Sequence, residues 1–523
     1  MYRPLLEKPR VRGQMKGNAV ANPLYDGLFG RHAGKTTPFL HLLDGSTITH
    51  QHFLSRAAQI ANVMLQLELK PGDRVAAQIE KSPEALALYA ACAQAGLVFL
   101  PLNTAYTVDE LAYFIDNSGA SLIVCDGRNQ AALAPLAGRL GAIIETLNAD
   151  GSGSLNAKMQ KMPILFPTVA RGENDLAAFL YTSGTTGRSK GAMLTQKNLL
   201  SNALALVEAW RFTEDDVLLH ALPIFHTHGL FVATNISLIS GGSLIFLPKF
   251  DLDAIAKHMP KATTLMGVPT FYARFLDDPR FTAASTAHMR LFISGSAPLL
   301  AEIHSRFEAR TGHRILERYG MTETNMNTSN PYEGDRRAGT VGLPLPGVEV
   351  RICDADGHAL PQGEIGEVEV RGANVFQGYW QMPDKTAAEL RETGFFITGD
   401  LGRIDEDGYL HIVGRNKDLI ISGGYNIYPK EIELVLDDQI GVLESAVIGV
   451  PDPDFGETVL GVIVAESGQS PDLDAMMDAI RSALARFKHP RKLILLDKLP
   501  RNTMGKVQKN ILRGQYKDMF ASS

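Results

Sequence analysis

Short runs of almost wholly apolar, β-branched residues constrain this chain more than any other feature. They recur at residues 121–125, 217–222, 243–247, 263–267 and 289–293. A strand that is apolar on both faces is buried on both faces, as strands of a helix-covered parallel sheet are. Helical patterns lie between the runs. Ser82-Pro83-Glu84 opens one, with Ser82 as cap and Pro83 in the first turn, and Gly96 closes it. The alternation predicts an α/β fold, with helices on both sides of mostly parallel sheets. In such sheets ligands bind beyond the carboxyl ends of the strands. Several of the runs pass there into loops rich in Gly, Ser, Thr and Pro.

After about residue 340 the texture changes. Val348-Glu-Val-Arg-Ile352 and Glu367-Val-Glu-Val-Arg371 alternate, which reads as antiparallel strands of a small barrel-like part. From about residue 418, short strands and helices carry an apolar pattern of their own. With 523 residues there is room for more than one packed unit. The expected division is an N-terminal extension over 1–20, a large domain over 21–416 and a smaller α+β domain over 417–523. The extension is basic, with Arg3, Lys8, Arg10, Arg12 and Lys16 against Glu7, but Pro4 and Pro9 interrupt any amphipathic helix. The expected location is the cytoplasm, or the mitochondrial matrix if that stretch is a transit peptide.

Composition excludes several classes. The net charge is −6, from 51 Lys+Arg and 57 Asp+Glu, which argues against a general nucleic-acid binder. Cys92, Cys125 and Cys353 are scattered and odd in number, so no disulfide framework or zinc knuckle is implied. No apolar run approaches the ~18 residues of a membrane span.

The most telling segment is Tyr181-Thr-Ser-Gly-Thr-Thr-Gly-Arg-Ser-Lys-Gly191, directly after the apolar Leu176-Ala-Ala-Phe-Leu180. Its glycines let the backbone come close to a ligand. Its hydroxyls and free N–H groups can donate to phosphate oxygens, and Lys190 adds a cation. Thr182, Ser183, Gly184, Thr185, Thr186, Gly187 and Lys190 are therefore candidate ATP contacts. Gly184 and Gly187 are too close for a P-loop of the G-x-x-x-x-G-K-[ST] kind, and Lys190 is followed by Gly191.

This segment resembles the signature loop of the adenylate-forming superfamily, which holds acyl-CoA synthetases, luciferases and peptide-synthetase adenylation domains. The resemblance continues in order through Tyr319-Gly-Met-Thr-Glu323, Thr398-Gly-Asp400, Gly414-Arg-Asn-Lys-Asp-Leu-Ile and Pro500-Arg-Asn-Thr-Met-Gly-Lys506. It implies ATP, Mg²⁺ and coenzyme A as small-molecule partners. Glu323 would hold Mg²⁺, which usually takes one or two carboxylates. Thr322 would donate to the α-phosphate, and Tyr319 would stack on adenine, with Glu317, Arg318, Gly320 and Met321 beside it. Ser296, Ala297 and Pro298 form the adenine-side loop. Asp400 and Arg415 would hold the ribose. Lys506 would stabilise charge gathering on the α-phosphate during attack. Lys417 would be the hinge about which the small domain turns, bringing Gly423 and Gly424 to a coenzyme A tunnel. Acetylation of Lys506 by a lysine acetyltransferase would remove its charge and silence the first step.

The acid is narrowed by a few residues. His226 and His228 border the acyl pocket by resemblance; a metal reading with His220 lacks accompanying Cys or carboxylates. Arg274 follows Gly267-Val-Pro-Thr-Phe-Tyr on the helix that lines the pocket in this family, where fatty-acid and aryl-acid members tend to be apolar. A buried guanidinium needs an anion, and its fork suits a carboxylate. Arg274, Ser296 and His228 are thus expected to hold a second carboxylate of the substrate. The wider pattern is similar to that of malonate-activating synthetases, with methylmalonate a further candidate. A short-chain or aromatic monoacid ligase, a luciferase-like oxygenase and an amino-acid adenylation module stand as alternatives.

Overall fold

The computed structural model describes residues 22–182, 189–422, 425–453, 455–502 and 505–520. Two sheets form the large N-terminal unit. In the first, six parallel strands run in the order Leu316–Met321, Leu291–Ser294, Thr264–Gly267, Val217–His220, Ser243–Phe246 and Pro38–His41. Antiparallel strands flank them at both edges. In the second, Ile143–Thr146, Leu122–Cys125, Arg74–Gln78, Val98–Pro101 and Leu176–Thr182 are parallel, and Lys190–Thr195 closes the edge antiparallel. The apolar runs read from the sequence are the inner strands; Leu122–Cys125, Ser243–Phe246, Thr264–Gly267 and Leu291–Ser294 are buried throughout.

The helix Pro83–Ala95 shows why this unit is continuous. Ser82 accepts the Ala85 amide, Pro83 sits in the first turn, and Gly96 ends the helix at φ 70°, where a side chain would be strained. Every residue from 85 to 95 is buried, so this helix is core on all sides rather than amphipathic.

Val348–Cys353, Gly366–Gly372, Phe396–Ile404 and Leu410–Arg415 form a four-stranded antiparallel sheet in that order. Among the described residues its first and last strands do not pair, so the barrel-like part is an open sheet. A separate sheet begins at Ile420–Ser422 and contains Tyr425–Ile427, Gly456–Ala465, Val442–Asp452 and Lys492–Leu496. It has its own apolar core on both faces, around Ile432, Val447 and Ile480 on one and Ile448, Leu460 and Leu512 on the other. The short turn Asn416–Asp418, with Lys417 exposed, connects the two sheets. No helix among the described residues is long and apolar enough to cross a membrane.

Candidate active site

The loops that leave the carboxyl ends of four parallel strands converge on one cleft, and the small C-terminal unit covers it. Strand Leu176–Thr182 leads toward the Gly/Thr-rich loop, whose Ser183, Gly184, Thr185, Thr186 and Gly187 lie outside the described residues. Thr182 pairs with Lys190 where the chain returns. Strand Val217–His220 leads to His226 and His228, Leu291–Ser294 to Ser296, and Leu316–Met321 to Thr322 and Glu323.

On the nucleotide side, charges are paired. Asp400, 4% exposed, accepts the Tyr319 hydroxyl at 2.6 Å and meets Arg415 Nε at 3.0 Å. Asp400 in turn raises the Arg415 pKa, so that guanidinium is held charged. Glu323 is buried and accepts the Tyr379 hydroxyl at 2.9 Å. Lys190 lies 3.3 Å from Glu389 and 4.2 Å from the centre of the Tyr379 ring. Gly320 is required here by contact, since a Cβ would collide with the Asn325 carbonyl. Ala297 is partly buried, Pro298 is exposed, and Met321 and Thr322 are half-buried.

Lys506 enters from the C-terminal unit. Its backbone amide donates to Asn502 at 2.9 Å, and neighbouring Gly505 approaches Thr270. The residue as a whole is exposed, while its ammonium is desolvated in the cleft, within the field of Arg415, Asp400, Glu323 and Arg318. Desolvation, with Arg415 adding to it, lowers its pKa to about 8. Gly423 and Gly424 lie outside the described residues, between two paired strands. Lys417 has its pKa lowered, first by burial and then by Arg415. Asp418 beside it is tied to Arg513 at 2.7 Å.

The acyl side is different. His228 is buried and shares a hydrogen bond of 3.1 Å between Nδ1 and Ser296 Oγ. Ser296 adopts φ 72°, a left-handed conformation that a serine takes only at some cost. Burial, then the positive charges of Lys506 and Arg318, lower the His226 pKa to about 3, so His226 is neutral at ordinary pH. Burial and Arg318 keep His228 neutral too. His220 is not available to a metal: Nδ1 meets Lys81 Nζ at 2.8 Å and Nε2 the Gly229 carbonyl at 2.8 Å.

Two arginines stand near this side, one exposed and one buried. Arg274 was expected as the buried cation, but it is exposed, over the Phe250 ring at 5.2 Å. Its helix, Pro269–Asp277, keeps its apolar face inward, and Arg274 falls one turn after Thr270 on the opposite side. The buried cation is Arg318, 3% exposed, expected from its motif among the nucleotide residues. Its guanidinium packs against Gly295, where a Cβ would collide with it, and acts on both His226 and His228. Among the described residues its Nε and Nη2 have no hydrogen-bond partner. Desolvation lowers its pKa to about 9. The adjacent Glu317 offers little compensation, because burial raises its own pKa to about 8. Tyr379, Glu389 and Lys81 had no local signal in the sequence; each gains its place through a partner far away in the chain.

Comparison with known proteins agrees with this geometry. The AMP-binding enzyme family matches residues 30–380, and the AMP-binding enzyme C-terminal domain matches 431–506. Feruloyl-CoA synthase of an Amycolatopsis species is 37% identical, covering 90% of this chain and 94% of its own. Malonate–CoA ligase of Arabidopsis thaliana is 36% identical, covering 80% and 74%. The ATP-bound crystal structure of MatB from Rhodopseudomonas palustris superposes with a TM-score of 0.94 at 57% identity, over 95% of this chain and all of that one. The chain therefore belongs to the AMP-binding enzyme family, as an AMP-forming acyl-CoA synthetase.

Proposed function

We propose that this synthetase is a malonyl-CoA synthetase, with methylmalonate a possible second acid. One observation carries the choice of acid: Arg318, a buried guanidinium with unpartnered Nε and Nη2, stands beside the His228–Ser296 pair. An unpaired buried charge is costly, and a carboxylate that reaches it relieves that cost. A monoacid cannot. His228 and Ser296 add a neutral donor–acceptor pair, and Arg274 adds a second, exposed cation on the helix whose Thr270 meets the Lys506 loop.

In the first step a malonate oxygen attacks the α-phosphorus of ATP. The new P–O bond forms as the bond to pyrophosphate breaks. Lys506 supplies a positive charge where the equatorial oxygens gain negative charge, and Thr322 donates to the same phosphate. Tyr319, Asp400 and Arg415 hold the adenosine. Glu323 is a single buried carboxylate, suited to a Mg²⁺ ion that arrives with the phosphates and keeps its waters; bound there, the ion neutralises phosphate charge. In the second step the coenzyme A thiol attacks the acyl carbonyl and AMP leaves. Rotation about Lys417 would exchange Lys506 for the Gly423–Gly424 segment. The Lys506 amine is also where acetylation would stop the first step.

Pyrophosphate release with malonate, methylmalonate, acetate and butyrate tests the acid. Malonate is expected to lead by at least tenfold. Butyrate outrunning malonate would overturn the dicarboxylate reading in favour of a short-chain monocarboxylate ligase.

A further inference from the structure

Residues 376–380 stitch the phosphate side together. The Phe376 amide donates to the Glu323 carbonyl at 2.8 Å, the Met193 amide to Gly378 at 3.0 Å and the Trp380 amide to Gly191 at 2.8 Å. This segment is therefore bonded both to the loop that carries Glu323 and to the strand that begins at Lys190. Tyr379 lies in the middle of it and is 2% exposed. Its hydroxyl donates to Glu323 Oε1 at 2.9 Å, and its ring face lies 4.2 Å from Lys190 Nζ.

We propose that Tyr379 is the positioning residue that sets Glu323 and Lys190 in a common register for magnesium-bound ATP. The inference rests on the reading of Glu323 as the metal carboxylate and Lys190 as the phosphate cation. A buried carboxylate free to turn would hold an ion poorly; a hydrogen bond to Oε1 fixes its rotamer and orients the other oxygen. The ring attracts the Lys190 ammonium through its negative face, and the Tyr379 amide is anchored to Thr386 Oγ1 at 2.9 Å.

Calorimetric ATP binding to the full chain without acid, in chelator and in saturating Mg²⁺, tests this without turnover. Tyr379→Phe keeps the ring and loses the hydroxyl. Its affinity in chelator should stay within about twofold of the parent, while the gain on adding Mg²⁺ should shrink about tenfold. Tyr379→Leu should additionally lose about fivefold in chelator. Glu323→Gln serves as reference. If it loses the Mg²⁺ gain and Tyr379→Phe keeps it, the positioning role is wrong. If Glu323→Gln itself keeps the gain, the metal reading fails and the inference falls with it. Should Tyr379→Leu not fold, the near-isosteric Tyr379→Phe still decides.

Discussion

The two sides of the cleft are built on opposite principles. On the nucleotide side Asp400 is met by Tyr319 and Arg415, Glu323 by Tyr379, and Lys190 by Glu389. On the acyl side Arg318 Nε and Nη2 and His228 Nε2 have no partner among the described residues. A side that is internally paired is rigid before ligand arrives and serves any acid equally. A side with unpaired buried polar atoms leaves free energy to be recovered only by a ligand with the matching group. Discrimination among acids is therefore expected on the second side alone.

The largest effect should come from the residue that reaches in between. Lys506→Ala should slow adenylation roughly 10²–10³-fold yet spare thioester formation from supplied acyl-adenylate; equal loss in both half-reactions would break the assignment. The same group gives a pH signature. The active form is the ammonium, whose pKa is lowered to about 8. The kcat/KM for adenylation should therefore fall as pH rises above about 8, a limb absent from the thioester step.

Next come paired losses on the two sides. Asp400→Ala strands two partners, so ATP affinity should drop roughly 10²-fold, by the same factor with every acid. A loss confined to malonate would contradict the comparison. Arg318→Met should leave ATP affinity within about twofold. Its melting temperature should hold or rise, because replacing a buried unpaired charge with a packed apolar side chain is neutral or stabilising. A clear fall in melting temperature would mean that Arg318 has a structural partner.

Smaller effects sharpen the acyl side. Arg274→Ala should cost malonate about tenfold, less than a buried cation would, since exposed charges are screened. Ser296→Gly should raise the KM for malonate by a similar factor through the lost hydroxyl. It should not destabilise, because glycine accepts φ 72° freely. Glu389→Gln, which frees Lys190 from a half-buried pair, should shift the KM for ATP by about threefold or less.

The fold was legible where pattern and burial agree. The apolar strands, the Ser82–Gly96 helix limits and the antiparallel pair at 348–352 and 367–371 stand in the structure within a residue or two. The meeting of Tyr319, Asp400 and Arg415 was legible because each stands in a motif of the resemblance. The burial of the two arginines was not. Sequence spacing puts Arg274 on a helix but does not give its burial, and the structure leaves it exposed, one turn after the Thr270 that meets the Lys506 loop. It puts Arg318 beside Tyr319, whose hydroxyl meets Asp400, and neighbouring residues on a strand point to opposite faces. Arg318 thus belongs to the acyl side by strand alternation alone. Tyr379 and Glu389 owe their roles to pairing across more than fifty residues, which no local pattern records.

The most direct measurement is the ratio of kcat/KM for malonate to that for butyrate, in the parent and in Arg318→Met. The parent ratio should be well above ten and should fall about 10²–10³-fold in the variant, the loss carried by malonate. An unchanged ratio in Arg318→Met would contradict it.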